Sequence, residues 1–247
     1  MSSENTDIPL KKPFLTGEWK KLAIANYKID PAILQPYLPA GTEFNLYNNN
    51  CYISLVGFLF LNTKIKGIRI PFHGKFVEIN LRFYVQRFDG KENRRGVTFI
   101  KEIVSKPMVT IIANSVYKEK YETMKTDHHI KTENTELNVE YSWKKNSRNS
   151  FGIIASGISE PLQAGSKEEF ITEQNWGYTK VNENKTIEYE VTHPRWNIYP
   201  VKQSEIKVDF KNVYGKEFAF LSNTNPESVM LAEGSDIKLY PGKFLKL

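Results

Sequence analysis

A chain of 247 residues that is 40% hydrophobic, 13% aromatic and 25% charged has an ordinary globular composition, with length for one large β domain or two small ones. Its formal net charge of +6 is mildly basic, yet Lys11-Lys12, Lys20-Lys21, Arg94-Arg95 and Lys144-Lys145 lie scattered among acids, which argues against a nucleic-acid surface. Cys51 is the only cysteine, so an intrachain disulfide and a cysteine-rich metal centre are excluded.

Residues 1–15 are polar and proline-bearing and read as a loose N-terminal arm. They hold no apolar run long enough for a signal peptide, and nowhere do about eighteen apolar residues run together, so a cytoplasmic protein with no membrane partner is expected. Asp30-Pro31 starts a short helix over 31–37, which must end before Leu38-Pro39. A strand series follows near 42–48, 51–61, 76–87, 96–104 and 108–117, with Asp89-Gly90 marking a hairpin. Lys125 to Asn138 is too polar for a core, and strands resume at 137–144 and 150–158. Ser166-Lys167-Glu168-Glu169 is a capping box that predicts the clearest long helix over 166–176. Strands at 177–182 and 186–193 flank a hairpin turn, and shorter ones near 204–211 and 236–240 leave room for a helix between them. With no internal repeat and no low-complexity linker, the pattern predicts a single strand-rich domain over 1–247, built as a barrel or a sandwich.

Residues 76–85 alternate without a fault: Val77, Ile79, Leu81, Phe83 and Val85 point one way, and Glu78, Asn80, Arg82 and Tyr84 the other. Neighbours on one face lie roughly 6.5–7 Å apart, so an acid, an amide and a base form a row. Such a row suits either a strand with one face in water or the inside of a curved sheet that grips a ligand.

Elsewhere the sequence carries no phosphate loop, dinucleotide fingerprint, zinc-protease helix or GxSxG elbow. His128 and His129 are adjacent, so on a strand they point oppositely and make a poor metal pair. No metal site and no cofactor are expected. In His193-Pro194-Arg195-Trp196, Pro194 holds His193 extended at the end of a clean strand. An imidazole, a guanidinium and an indole in four residues can bind an anion or stack on a planar group; equally, Trp196 can plug a barrel mouth with Arg195 in solvent.

Trp19-Lys20-Lys21-Leu22, Ala25-Asn26-Tyr27, Asp30-Pro31, Leu38-Pro39-Ala40-Gly41, Val56-Gly57-Phe58, Glu78-Ile79-Asn80-Leu81-Arg82-Phe83-Tyr84-Val85, Gly96-Val97-Thr98-Phe99 and His193-x-x-Trp196 together resemble the YqjF-like family of uncharacterised conserved bacterial proteins. That resemblance implies the fold of acetoacetate decarboxylase: mainly β, a single closed or nearly closed β-barrel with an internal cavity and a few peripheral helices. The decarboxylase works through a lysine that forms a Schiff base, set in a Pro-Lys-Lys run. No such run occurs here. The corresponding region is Val116-Tyr117-Lys118-Glu119-Lys120-Tyr121, with Tyr121 at the position of the reacting lysine, while Glu78 matches a cavity glutamate.

The expected function is therefore a pocket for a small organic acid or carbonyl compound. Arg82 would pair with a carboxylate, Asn80 would orient it, and Glu78 would brace Arg82 or shuttle a proton. Tyr121 and His193 are acid/base candidates, with Arg195 and Trp196 beside the ligand. A non-catalytic binding or regulatory module using the same pocket is the alternative. A third reading is a decarboxylase- or aldolase-like enzyme with a displaced lysine, for which Lys101 is the candidate because it shares parity with Val97, Phe99 and Ile103. The sequence is compatible with a homo-oligomer.

Overall fold

A computed structural model of the protein describes residues 11–69, 71 and 73–246. In chain order its long strands are β1 (Leu15–Lys28), β2 (Tyr52–Ile65), β3 (Lys75–Phe88), β4 (Asn93–Val104), the short β5 (Tyr121–Thr123), β6 (Lys125–Glu133), β7 (Glu136–Lys144), β8 (Arg148–Ser156), β9 (Trp176–Asn182), β10 (Lys185–Thr192), β11 (Val201–Lys207) and β12 (Ser228–Leu239). The helices are α1 (Pro31–Leu34), α2 (Pro107–Val116), α3 (Lys167–Thr172) and α4 (Phe210–Tyr214). None is long and apolar enough to cross a membrane.

Seven strands follow one another around a ring in the order β12, β1, β2, β3, β4, β9, β10. Two short seams close it. At one, Val191 and Thr192 of β10 pair with Leu239 and Lys238 of β12. At the other, Trp176 and Gly177 run parallel to Gly96 and Val97. Glycine is required there: a Cβ on Gly96 would lie 2.3 Å from the Trp176 carbonyl oxygen, closer than any carbon can approach. The ring is nearly barrel-like, as the family resemblance implies.

Alternation sorts the side chains of β3 between two cores. Val77, Ile79, Leu81, Phe83 and Val85 face outward into a cluster with Tyr141, Trp143, Phe151 and Ile153. Those residues belong to a second sheet of four strands, ordered β11, β8, β7, β6, which lies over one side of the ring. Glu78, Asn80, Arg82 and Tyr84 are buried on the inner side, where Tyr84 joins Val56, Phe58, Phe60 and Phe76. Lys125–Glu133, most of the polar stretch, forms the exposed edge of the covering sheet, with His128 and His129 on opposite faces.

Three expectations need correction. Residues 108–117 are not a strand but the longest α-helix, α2. The β-branched run Val109-Thr110-Ile111-Ile112 favours a strand, but Pro107 stands at the first helical turn, where proline is well tolerated. The helix opened by Ser166 is real, with Ser166 Oγ accepting from Glu169 N at 3.1 Å, yet it stops at Thr172. Trp176 is taken into β9, between Gly96 and Glu190. Of the N-terminal arm, residues 1–10 lie outside the described residues, and 11–14 are tied down: Phe14 N donates to Leu239 O, and Lys66 N to Phe14 O, both at 2.8 Å. Leu15 then starts β1, a 14-residue strand. Its alternation is broken where Lys21 adopts φ 55 and the register to β2 shifts between Lys20 and Ala23.

Candidate functional site

The polar row of β3 opens onto an internal cavity of about 130 Å³. Aromatic and aliphatic side chains from Trp19, Phe60, Phe76, Val97 and Phe99 form most of the wall, and α2 closes one side with Val109, Ile112 and Ala113. Those three lie at i, i+3 and i+4, one face of a helix. Into this apolar space project three carboxyl groups, Glu78, Glu102 and Glu119, together with Arg82, Tyr121, Tyr189 and His193.

Each acid has different partners. Glu78, 3% exposed, accepts from Asn80 Nδ2 at 3.2 Å and from the Tyr121 hydroxyl at 3.0 Å. Burial pushes its pKa up to about 7, against the pull of those two hydrogen bonds and of the Arg82 charge. Glu119 lies between α2 and β5, and its Oε1 accepts from Thr179 Oγ1 at 2.6 Å and from the Tyr189 hydroxyl at 2.8 Å. Burial raises it to about 7 as well. Glu102 is 2% exposed and its Oε2 has no hydrogen-bond partner. Burial, then the charges of Glu119 and Glu78, hold it well above the ordinary carboxylate range and favour its neutral form. Tyr121 and Tyr189 are raised well above the usual phenol value, chiefly by burial.

Arg82 is 8% exposed. Among the described residues no carboxylate oxygen lies within 4.0 Å of its guanidinium, and its Nε is unpartnered. Glu78 therefore does not brace Arg82 as an ion pair. Asn80 braces Glu78 and does not line the cavity. His193 does line it, stacked on Trp196 with ring centroids 4.1 Å apart. Burial, opposed by the Pro194 carbonyl and reinforced by Arg82, lowers the His193 pKa and favours neutral imidazole. Trp196 also lines the cavity and donates from Nε1 to Ser235 Oγ at 2.8 Å.

Arg195 and Lys101 are elsewhere. Arg195 is paired with Glu169 at 2.6 Å, bonds the Leu162 carbonyl at 3.0 Å, and does not line the cavity. Lys101 bonds Glu122 at 2.7 Å and the Val213 carbonyl at 2.6 Å on the outer face of the ring. The cause is a β-bulge in β4. Leu81 pairs with Lys101 while Arg82 pairs with Phe99, which leaves Ile100 unopposed. Parity reverses at that point: Phe99 points in, Ile100 and Lys101 point out, and Glu102 points in. Sequence parity counted from Val97 through Phe99 selects Lys101 and rejects Glu102, the wrong choice in both cases. Glu119 escapes sequence reasoning as well, because Lys118-Glu119-Lys120 reads as a solvated turn and nothing local marks one acid as buried.

Among the described residues no lysine lines the cavity, so the Schiff-base alternative lacks its nucleophile. No group of three or more His, Cys, Asp or Glu side chains among them is placed to hold a metal ion.

The fold is shared with solved structures of low sequence identity. An acetoacetate decarboxylase-like enzyme from Sphingomonas wittichii RW1 superposes with a TM-score of 0.64 at 12% identity, covering 94% of this chain and 93% of that one. Acetoacetate decarboxylase from Legionella pneumophila gives 0.63 at 15% identity over 95% and 87%. The enduracididine biosynthesis enzyme MppR complexed with pyruvate gives 0.65 at 12% identity over 97% and 93%. At these identities the likeness shows an acetoacetate decarboxylase-like fold and nothing about activity. In sequence, the uncharacterised protein YqjF of Bacillus subtilis strain 168 is 24% identical over 243 residues, 96% of this chain and 95% of that protein. A family model described as an uncharacterised conserved protein, DUF2071, matches residues 16–236, and on that match the chain belongs to the DUF2071 family.

Proposed function

We propose that the cavity binds a small organic acid, with its carboxylate on Arg82 and its carbonyl group among Glu78, Glu102 and Tyr121. The observation that carries this reading is the buried guanidinium of Arg82, which faces an apolar cavity without a carboxylate partner. An uncompensated buried charge is costly, and an anionic ligand would supply the missing bidentate partner. The raised pKa values of the neighbouring acids lessen the negative charge around that guanidinium and leave it attractive to an anion. Size agrees: an enclosed apolar space of about 150 Å³ holds benzene, so about 130 Å³ suits a ligand of roughly six non-hydrogen atoms, such as a 2-keto acid. Pyruvate bound to MppR, a protein of the same fold, points to the same ligand class. In this reading the chain is a single cytoplasmic domain whose partner is a small molecule.

Thermal unfolding with pyruvate and other short carboxylates tests it. A ligand at a hundredfold excess over its Kd stabilises by about 2.7 kcal/mol, or roughly 5–10 °C for a chain of this size. Arg82→Gln should abolish the shift. No shift with any short carboxylate, or an equal shift in Arg82→Gln, rejects the reading.

A further inference from the structure

Orphaned polar atoms collect around the cavity: Trp19 Nε1, Thr63 Oγ1, Arg82 Nε, Glu102 Oε2 and Gln174 Oε1 are all buried without a hydrogen-bond partner and belong to residues that line it. Buried groups of this kind are rare and each calls for a partner. Glu102 Oε2 is unlike the others because it belongs to the one carboxyl group among them.

The strand register fixes that placement. Arg82 is paired across the ladder with Phe99, Asn80 with Glu102, and Glu78 with Val104. Along the strand axis, Glu102 therefore lies midway between Arg82 and Glu78, flanked on its other side by Tyr121, its partner in β5. The order along the wall is the Arg82 guanidinium, the Glu102 carboxyl with its free Oε2, and the hydrogen-bonded Glu78 carboxyl. A 2-keto acid presents carboxylate, carbonyl oxygen and an acidic C–H in the same order.

We infer that the cavity abstracts the proton α to the carbonyl of a small 2-keto acid, with Glu78 as the base and Glu102 donating a hydrogen bond to the enolate oxygen; this rests on Arg82 holding the carboxylate. Both acids suit their parts. A base works best with a pKa near the working pH, and Glu78 stands at about 7. A carboxylic acid held neutral by an apolar site can donate to a developing oxyanion, and burial together with the charges of Glu119 and Glu78 favours the protonated form of Glu102. In the forward step the Glu78 carboxylate takes a proton from C3. The C–H electron pair becomes the C2–C3 double bond, and the carbonyl π pair moves onto the oxygen that Glu102 faces. In reverse, Glu78 returns a proton to C3 after exchanging it with solvent, so no oxidant, reductant or second substrate is needed. In D₂O the net result is deuterium at C3.

The test is ¹H NMR of pyruvate in D₂O with the full-length protein, following loss of the methyl signal, with pyruvate binding measured in parallel by thermal shift. The wild type should exchange the methyl protons saturably above the buffer rate. Glu78→Gln should lower the rate by about 10²–10⁴-fold. Glu102→Met, which removes the donor, should lower it by about 10²–10³-fold while pyruvate still shifts Tm. Glu102→Gln keeps a neutral donor and should retain the rate within about tenfold. Pyruvate binding without exchange in the wild type overturns the inference and leaves the binding reading standing, whereas no binding removes both. Full exchange in Glu102→Met, or a Glu102→Gln loss as large as that of Glu78→Gln, overturns the part given to Glu102. Should Glu102→Met fail to fold, the comparison of Glu102→Gln with Glu78→Gln decides.

Discussion

Replacing Glu78 by glutamine should stabilise the protein, increasingly so as pH rises from about 4.5 to about 7. Folding raises the Glu78 pKa from 4.5 to about 7. The folded state thus holds this proton more tightly than the unfolded chain does. The stability this group contributes is complete below pH 4.5 and is lost as pH rises to about 7. The loss is about 3 kcal/mol, from roughly 2.5 pH units at 1.36 kcal/mol each. Glutamine keeps the neutral shape: its amide oxygen can accept from Tyr121, and its NH₂ group can reach Asn80, whose Oδ1 is unpartnered. Thermal melts across pH 5 to 8.5 should show wild type and Glu78→Gln close together at pH 5. At pH 8 the variant should lead by on the order of 10 °C. If Glu78 were instead the counter-ion of Arg82, losing it would cost roughly 3–5 kcal/mol at pH 8. A variant less stable than wild type at pH 8, or a difference independent of pH, would show that Glu78 is not held neutral by burial.

Gly96→Ala should cost about 2–4 kcal/mol in urea unfolding, because its Cβ would strike the Trp176 backbone at the parallel seam, whereas Gly74→Ala, with nothing within 4 Å, should stay within about 0.5 kcal/mol. Incubation with pyruvate and borohydride should leave the intact mass unchanged, since no described lysine lines the cavity; a trapped adduct on any lysine would restore the Schiff-base route. Arg195→Ala should leave pyruvate affinity within about twofold in calorimetry, because Arg195 is engaged by Glu169 and the Leu162 carbonyl outside the cavity; a tenfold loss, about 1.4 kcal/mol, would place it in the site.

The 76–85 segment made the inner wall of the ring legible from sequence, because a period of two leaves no freedom over which residues share a face. That is why Glu78 and Arg82 were identifiable as a row. The same logic failed one strand away, where a single unopposed residue, Ile100, exchanged the faces of Lys101 and Glu102. A bulge leaves no compositional mark in Phe99-Ile100-Lys101-Glu102. A bulge at Lys21 hid β1 in the same way. For α2, the local preference of Val109 to Ile112 for strand was overridden by tertiary packing over the cavity, and Pro107 was the available clue. Glu119 depends on partners about 60 and 70 residues downstream, Thr179 and Tyr189, a relation that no local pattern carries.

A crystal structure of the protein grown with pyruvate would show whether Arg82 holds the ligand. The carboxylate should lie about 2.7–2.9 Å from the Arg82 guanidinium nitrogens, with the carbonyl oxygen turned toward Glu102 and the methyl carbon toward Glu78. Pyruvate bound elsewhere, or a cavity that stays without it at concentrations that saturate the thermal shift, would rule out Arg82 as the anion-binding group.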